Sequence, residues 1–267
     1  MKVEYSDTQP RGNARRKKRK KRRLKVTFFV FLIVLVIGVL IALSCTVLFN
    51  IKSFAVSGQS IYADTDILAQ SGLSVGDNLF LMLTSKVEQN IETKLPYVKS
   101  AEVKRRFPDT VSIKITPATE FATIKVEEGY LVVDSDYKIL AVKPEQPTNL
   151  TYIKGIVSEQ SLPGTHITFA DDEQKRILNE IIKLLADNSI TATMIDVENK
   201  LELAFVIENR LYIELGNYSN LAKKMAHLVA SLPEIEPDAE GTINLSYWSE
   251  TNKKTPLKYE NITDKLK

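Results

Sequence analysis

Apolar and charged positions divide the chain into a short N-terminal part and a longer part with the alternating pattern of a globular protein. Residues 26–49 carry no charge and are mostly apolar. At about 1.5 Å per residue they would form a helix of about 36 Å, longer than the ~30 Å hydrocarbon core of a bilayer. Because backbone polar groups in lipid must bond within the segment, the pattern predicts one transmembrane helix over residues 26–49.

Residues 50–118 show a pattern that predicts a strand, two helices and two further strands. Val111, Ile113 and Ile115 alternate with polar residues, which is the period of a half-buried strand. Ser85 has Glu88 three residues later and is predicted to cap the second helix. The predicted strands cover residues 51–57, 98–105 and 110–115, and the predicted helices cover residues 64–70 and 85–95. This order describes a compact α+β module.

Residues 119–248 change to a pattern in which short alternating strands dominate. Asp171 begins an amphipathic stretch that runs to Ala186, and a second helix is predicted from near Asn217 to before Pro233. The predicted strands cover residues 121–126, 130–134, 139–142, 201–207, 211–215 and 242–248. We therefore expect a second α+β domain dominated by an antiparallel sheet, followed by a disordered polar tail over residues 249–267.

Nine consecutive basic residues precede the apolar segment and orient it. They are Arg15, Arg16, Lys17, Lys18, Arg19, Lys20, Lys21, Arg22 and Arg23. Because Lys and Arg flanks stay in the cytoplasm, residues 1–25 are predicted to be a cytoplasmic tail and residues 50–267 to be extracytoplasmic. The same side chains are expected to contact anionic lipid headgroups. Beyond residue 49 the chain has 24 basic and 31 acidic residues, so the basic character is confined to the N-terminus.

Three other interpretations of the N-terminus stay open. A cleaved signal peptide usually has an apolar core of about 7–15 residues, which is shorter than this one. Cys45 follows Ala42-Leu43-Ser44, which weakly resembles a lipid-attachment site. The basic run is also of the kind that binds nucleic acid. Beside a membrane helix it is more typical of a topology signal, and we expect no nucleic acid partner.

The chain offers little chemistry for catalysis. Its single cysteine, Cys45, lies in the apolar segment, so the outer region has no disulfide and no thiol nucleophile. The two histidines, His166 and His227, belong to no hydrolase or metalloprotease motif, and no phosphate-cradling glycine-rich run occurs. The acids from Glu234 to Glu240 can hold a cation but are typical of a solvated loop. We therefore predict no catalytic residue, no metal site and no cofactor, and a protein that binds other proteins.

Five stretches of the chain form a recognisable set, although each stretch alone is weakly specific. They are Phe54-Ala55-Val56-Ser57-Gly58, Ile67…Gly72-Leu73…Gly76-Asp77-Asn78-Leu79, Leu95-Pro96-Tyr97-Val98…Ala101…Val103…Arg106-Phe107-Pro108-Asp109-Thr110-Val111, Tyr130-Leu131-Val132-Val133-Asp134, and Leu215-Gly216-Asn217…Leu221…Lys224-Met225. In this order, and after a basic single-span N-terminus, they resemble the bacterial cell-division family called FtsQ, or DivIB in Gram-positive bacteria.

The resemblance implies a POTRA module over residues 50–118, a β-type domain over residues 119–248 and a non-enzymatic scaffold of the division machinery. Such proteins bind the bitopic partners FtsL and FtsB, the latter called DivIC in Gram-positive bacteria, and help regulate septal peptidoglycan synthases. The implied location is the cell membrane at the division septum. The chain departs from the family at Pro117-Ala118-Thr119-Glu120-Phe121-Ala122, where an acidic residue, an Arg or Tyr and a Pro are usual.

The last predicted strand is the candidate site for partners. The resemblance implies partner contact near the end of the second domain, and a final strand at a sheet edge has unpaired N–H and C=O groups that accept a partner's strand. Alternation predicts Ile243, Leu245 and Tyr247 facing the core. The other side chains of this strand are predicted to lie on the opposite face, and they are Thr242, Asn244, Ser246 and Trp248. Trp248 is the residue type that anchors interfaces, although it can instead pack beneath the second helix.

Two functions from other classes stay open. A POTRA-type module can dock clients in a secretion or membrane-assembly system, although such proteins usually carry repeated modules or a barrel. A membrane-anchored hydrolase of unfamiliar type is the other alternative. Capture of partners separates a scaffold from a docking module, and turnover of cell-wall fragments would reveal an enzyme.

Overall fold

The computed structural model describes residues 25–40, 49–247 and 257–266. Residues 25–40 form the first helix, α1. Within the described ranges, no helix combines the length and the apolar character needed to cross a membrane. The rest of the predicted span at residues 41–48, the basic run at residues 15–23 and Trp248 lie outside the described residues.

The chain packs as two compact units. The first comprises Met1–Ala55, Leu73–Leu83 and Lys104–Ser112, and the second comprises Val56–Gly72, Thr84–Val103 and Ile113–Lys267. The region 50–118 is therefore divided between the two units, and the region beyond it belongs to the second unit. That two folding units meet at residue 118 remains a prediction about folding behaviour.

The region before residue 118 has the predicted order of strand, helix, helix, strand and strand. Its elements are β1 (Ser53–Gly58), α2 (Asp64–Ser71), α3 (Thr84–Lys94), β2 (Val98–Arg106) and β3 (Thr110–Pro117). The three strands form one sheet in the order β1-β3-β2. The β-α-α-β-β prediction is confirmed at every element.

Glycines end two of these elements for steric reasons. Gly72 ends α2 in the left-handed conformation with φ 75°, as the sequence predicts. Gly58 ends β1 with φ 103°, and a Cβ there would lie 2.1 Å from the carbonyl oxygen of Ile115. Only glycine fits at Gly58, because both the conformation and the close backbone approach exclude a side chain.

The predicted cap of α3 is wrong. The helix begins at Thr84, so Ser85 lies inside it. Glu88 instead accepts a hydrogen bond of 2.8 Å from the backbone N–H of Val103, and Glu92 accepts one of 2.9 Å from that of Ala101. These carboxylates therefore satisfy donors of β2 and join the helix to that strand, a contact that local sequence spacing does not reveal.

The second domain is built on one nine-stranded sheet with the order β12-β11-β10-β9-β8-β7-β4-β5-β6. Five of its neighbouring pairs are antiparallel and three are parallel, which agrees with the predicted antiparallel character. The strands are β4 (Ala122–Val126), β5 (Gly129–Val133), β6 (Ile139–Lys143), β7 (Thr151–Lys154), β8 (Ala192–Asp196), β9 (Leu203–Ile207), β10 (Leu211–Gly216), β11 (Gly241–Asn244) and β12 (Leu257–Tyr259). The helices are α4 (Asp172–Asp187) and α5 (Leu221–Ser231).

Strands β7 and β8, at the middle of the sheet, are not among the strands that the sequence pattern predicts. They pair in parallel, with Tyr152 opposite Met194 and Ile153 opposite Ile195. Helix α4 connects them as a crossover, and its N-cap Asp171 accepts a hydrogen bond of 2.8 Å from the backbone N–H of Glu173. Buried parallel strands of four or five residues show no clear alternation of apolar and polar positions, and this is why they were not predicted.

The main core lies between the sheet and helices α4 and α5. It contains Ile177 and Leu178 of α4, Phe205 of β9, and Met225 and Leu228 of α5. A smaller cluster is formed by Tyr152, Met194, Val206 and Ile262.

The prediction of a disordered tail over residues 249–267 is wrong for residues 257–266, the part of that range that the structure describes. Leu257–Tyr259 form β12, and Thr263–Leu266 form a short 3₁₀ helix. The region is polar by composition, but its charged side chains pair with one another and Ile262 is buried. Composition alone therefore gives the wrong result here.

Candidate functional site

The final described strands set the geometry of the candidate site. Strand β11 pairs in parallel with β10 and in antiparallel with β12, with Thr242 opposite Lys258 and Ile243 opposite Leu257. Among the residues that the structure describes, β12 is the terminal strand of the sheet. The prediction that the strand beginning at Thr242 is the sheet edge is therefore wrong, because the C-terminal region adds one more strand outside it.

Six of the seven predicted partner-binding residues, all except Trp248, lie in the described part of the chain. Ile243 and Leu245 are in the core as predicted, and Thr242 is buried although it was predicted on the outer face. Asn244 is exposed and Ser246 half-buried. Tyr247, predicted to face the core, is 81% exposed. The alternation fails at Tyr247 because β11 ends at Asn244 and the chain turns over the next residues. A role for these residues and for Trp248 in partner binding remains a prediction.

Charged side chains fasten the C-terminal region to the sheet around Glu260. This carboxylate accepts hydrogen bonds of 2.6 Å from the Thr242 hydroxyl and 2.8 Å from Lys265 Nζ, and it lies 2.6 Å from Lys258 Nζ. Lys265 also contacts Glu214, at 3.1 Å. The hydrogen bonds from Lys258, Lys265 and Thr242 lower the pKa of Glu260 to about 2. Strand β12 is therefore held in place by contacts of Glu260 and Lys265, which follow it in sequence, with each other and with Thr242 and Glu214 of the neighbouring strands.

The half-buried Lys265 is stabilised in its charged form by its neighbours. Burial opposes that charge, but hydrogen bonds to Glu260 and Glu214 outweigh burial and raise the pKa of Lys265. Its Nζ also lies 4.9 Å from the centre of the Tyr212 ring, a cation–π contact. Two carboxylates and an aromatic face thus stabilise a single ammonium group.

Ile262 supplies the apolar part of the attachment. Its side chain is buried against Tyr152, Met194 and Val206. Its backbone N–H donates to Glu240 at 3.1 Å. One isoleucine therefore anchors the segment that follows β12, and nothing in its polar sequence surroundings marks it as a core residue.

The surface beside this edge is polar and mostly acidic. A groove of about 880 Å³ is lined by four carboxylates and one lysine, with Asn244 and Tyr247 at its border. The carboxylates belong to Asp196, Glu198, Glu202 and Glu214, and the lysine is Lys154, which lies 3.3 Å from Asp196. Asn244 donates a hydrogen bond of 2.5 Å to Glu214. Tyr259 of β12 is 68% exposed. Tyr259 is paired opposite Gly241, at the other end of β11 from the groove, and exposed tyrosine is a residue type enriched in protein interfaces.

Two lysines are buried, and sequence reasoning missed both. Lys224 on α5 donates to the carbonyl oxygens of Leu215 at 2.6 Å and Asn217 at 2.8 Å. Burial lowers its pKa. It ties the start of α5 to the end of β10, so the motif that includes Leu215, Asn217 and Lys224 has a structural explanation.

Lys138, in the turn between β5 and β6, is the second buried lysine. Its Nζ donates to the carbonyl oxygens of Glu92 at 2.6 Å and Val98 at 2.5 Å. Burial lowers its pKa, against the opposing effect of Asp134 and Glu92. A single ammonium group therefore binds the large sheet to the end of α3 and the start of β2.

The stretch that departs from the family pattern also makes specific contacts. Glu120 accepts a hydrogen bond of 2.8 Å from the Tyr97 hydroxyl and lies 3.2 Å from Lys143 Nζ. Burial, together with the Glu120 contact, raises the pKa of Tyr97 to about 12. The backbone N–H of Ala118 donates to the carbonyl oxygen of Tyr97 at 2.9 Å. Glu120 therefore joins β6 to the segment before β2.

Within residues 25–40, 49–247 and 257–266, no three or more His, Cys, Asp or Glu side chains are grouped so as to hold a metal ion. The acidic groove therefore has no metal-ligating set in the part of the chain that is described.

Residues 49–116 match the family model described as the POTRA domain, FtsQ-type. This match covers the small sheet and its two helices, so this part of the chain is similar to POTRA domains of that type.

The similarity extends well beyond that domain. The cell division protein DivIB of Clostridium acetobutylicum is 25% identical over 202 residues, which cover 74% of this chain and 80% of that protein. The DivIB of Bacillus anthracis is 24% identical over 249 residues, 91% of this chain and 88% of that protein. The cell division protein FtsQ of Streptomyces bingchenggensis is 22% identical over 192 residues, 72% of this chain and 71% of that protein. The resemblance to the FtsQ/DivIB family is thus confirmed over most of the chain.

Proposed function

We propose that this chain is a membrane-anchored, non-enzymatic scaffold of the bacterial division machinery. It crosses the cell membrane once, with its basic N-terminus in the cytoplasm and its two domains outside at the division septum. It binds FtsL-type and FtsB/DivIC-type bitopic proteins and through them helps regulate septal peptidoglycan synthases. The relatives named DivIB and FtsQ support the division role, and the POTRA domain of FtsQ type supports a function in protein contact.

The observation that carries the partner-binding part is the terminal position of β12. A terminal strand presents alternate N–H and C=O groups that have no neighbour within the sheet, and a partner in extended conformation can pair with them. Tyr259 stands exposed on this strand, and tyrosine is a common anchor of interfaces. The proposed contact surface therefore includes Leu257–Tyr259 in addition to Thr242–Trp248.

Capture of the partners by the full-length protein tests this proposal. Tyr259→Ala should weaken binding of an FtsB/DivIC-type partner by about 1–3 kcal/mol if Tyr259 is an anchor. Trp248→Ala tests the original candidate in the same assay. Tyr218→Ala is the matched control, because Tyr218 is an exposed tyrosine outside β11 and β12.

Loss of binding in the Tyr259 variant but not in the Tyr218 variant would support partner binding at the β12 edge. Unchanged binding in both the Tyr259 and Trp248 variants would remove the edge from the proposal. If the full-length protein captures secretion or membrane-assembly proteins instead of division proteins, the alternative of a docking module replaces the scaffold.

The single span is tested separately by protease added to wall-stripped cells. Residues 50–267 should be digested from outside, because the basic run retains the N-terminus in the cytoplasm. Protection of that region would contradict the proposed orientation.

A further inference from the structure

Three phenylalanine rings meet in the first compact unit. The ring of Phe49 lies 4.8 Å from that of Phe80 and 5.5 Å from that of Phe107, and the last two are 5.3 Å apart, all measured between ring centres. Phe80 and Phe107 are nevertheless exposed, and so are the neighbouring Leu81 and Leu83. These five residues form what we call the aromatic cluster, a contiguous apolar surface of the kind that marks an interaction site.

The backbone around the aromatic cluster is firmly held, so the exposure is not the result of a loose loop. The N–H of Leu79 donates to the carbonyl oxygen of Phe49 at 2.9 Å, and the N–H of Phe80 donates to the side chain of Asn78 at 2.9 Å. The Arg105 guanidinium donates to the carbonyl oxygen of Leu79 at 2.6 Å and also to that of Met82. Phe80 and Leu81 are thus presented on a segment fixed at both ends.

The turn that carries Phe107 is fixed to the same place. The N–H of Lys52 donates to the carbonyl oxygen of Asp109 at 2.8 Å, and the two side chains form an ion pair of 3.3 Å. The hydroxyl groups of Ser53 and Thr110 are 2.8 Å apart. The three rings therefore come together because the residues just after Phe49 bind the turn after Phe107.

The position of the aromatic cluster in the chain indicates what covers it. Phe49 is the last residue of the uncharged segment 26–49 and is itself a member of the cluster. If that segment crosses the membrane, the cluster lies where the chain leaves the hydrocarbon. Aromatic side chains are enriched at that boundary, because their rings suit the level of the lipid headgroups.

The basic residues beside the aromatic cluster also favour contact with a membrane. Lys104, Arg105 and Arg106 directly precede Phe107, and all three are exposed. The Arg105 guanidinium donates to carbonyl oxygens, which carry no formal charge, so these contacts do not offset its positive charge. Basic residues beside an apolar surface favour an anionic lipid membrane over a neutral protein surface.

We propose that the aromatic cluster is a membrane-contact surface that seats the POTRA domain on anionic lipid, with Phe80, Leu81, Leu83 and Phe107 in the headgroup region. The proposal rests on the single membrane span of the proposed function. It limits the directions in which the first compact unit can turn about the end of the span, since the apolar side chains must stay in the lipid.

Spin labels on the full chain test the contact. With Cys45→Ser as background, a nitroxide is attached at Leu81→Cys, and the control is Val157→Cys, in the loop after β7. The two native side chains are matched in exposure, at 82% and 75%. The protein is placed in nanodiscs of phosphatidylcholine and phosphatidylglycerol, and collision rates with oxygen and with a water-soluble nickel chelate are measured. Leu83→Cys serves if the Leu81 variant does not fold.

A severalfold higher ratio of oxygen to nickel collisions at position 81 than at position 157 is expected. Equal ratios would overturn the proposal, and so would a label at position 81 that is immobile and shielded from both reagents, because a protein would then cover the cluster. A chain that is not retained in the discs would also overturn it, since the span on which it rests would be absent. Partner capture is measured independently, so the scaffold proposal can fail while the lipid contact holds.

Discussion

Two exposed surfaces of this molecule differ in the kind of group that is left free to bind a partner. In the aromatic cluster, the exposed groups are apolar, and the guanidinium of the neighbouring Arg105 is bonded to backbone carbonyl oxygens. At the edge formed by β12, the side chains around Glu260 are paired and the remaining binding capacity belongs to the backbone of a terminal strand.

The difference teaches which kind of partner each surface suits. An apolar cluster gains free energy by leaving water and makes no directional demand, so a lipid surface satisfies it. A strand edge requires donors and acceptors in register, so only another polypeptide strand satisfies it. Changes that remove apolar area and changes that disturb the strand should therefore have separable effects.

The largest expected effect is that of Ile262→Ala. Removing a fully buried isoleucine side chain costs about 2–5 kcal/mol, and here the cost falls on attachment of the segment that carries β12. Hydrogen exchange of the β12 amides should accelerate, and binding of an FtsB/DivIC-type partner should fall with it.

Leu81→Ala should leave hydrogen exchange of the β12 amides unchanged, in contrast to Ile262→Ala. Its side chain is exposed, so the stability in detergent should change by no more than about 0.5 kcal/mol. Partner binding should be unaffected. If Ile262→Ala left β12 exchange unchanged, or if Leu81→Ala disturbed it, the separation of the two surfaces would be lost.

The second effect is a pH dependence confined to the β12 edge. The pKa of Glu260 is lowered from 4.5 to about 2, so the folded state favours its ionised form. Its stabilisation is therefore fully present above about pH 4.5 and is lost as the pH falls towards 2. Hydrogen exchange of the β12 amides, followed between pH 5 and about 2.5, should show progressive release of the segment.

Glu260→Gln provides the control for that experiment. The amide cannot ionise, so the contribution of Glu260 to the pH dependence should disappear. Glu214 and Glu240, which also face this segment, are present in both proteins, so they are not the source of a difference between them. A pH dependence identical in the two proteins would show that another carboxylate governs the attachment.

The sequence predicted the POTRA part more completely than the sheet that follows. Alternation at Val111, Ile113 and Ile115 and the glycine after α2 are local signals, and the five elements appear in the predicted order. Strands β7 and β8 lack such signals, because they are short and buried through parallel pairing. The β12 segment was missed because Ile262 is a single apolar residue among polar ones, and its partners Tyr152, Met194 and Val206 are distant in sequence.

The end of the second domain was predicted less well than the POTRA part, and its role in partner binding stays a prediction. The end of the second domain was correctly singled out as strand, yet its outermost strand comes from residues assigned to a disordered tail. Buried Lys224 and Lys138 were also missed, because lysine at a surface-like helix or turn position gives no sign that it will bond to carbonyl oxygens. Long-range contacts decide these features, and periodicity reports only local ones.

The smallest expected effect concerns the charges beside the aromatic cluster. Each Lys or Arg near an anionic membrane surface contributes about 1 kcal/mol, so Arg106→Gln should weaken lipid contact by about that amount and leave folding unchanged. The loss should appear in discs that contain phosphatidylglycerol and be absent in discs of phosphatidylcholine alone, because only the former carry net negative charge. The measurement is the ratio of oxygen to nickel collisions at position 81 in each lipid.

Lys125→Gln is a suitable control for Arg106→Gln, since it removes an exposed positive charge from β4 in the other compact unit. Raising the salt concentration should reduce the difference between wild type and Arg106→Gln, because the attraction is screened within about a Debye length of 10 Å at 0.1 M. If Arg106→Gln and Lys125→Gln changed the ratio equally, general charge rather than the cluster would be responsible. If neither changed it while Leu81 still reported lipid, apolar burial alone would seat the domain, and the contrast with the ion-paired β12 edge would be sharper still.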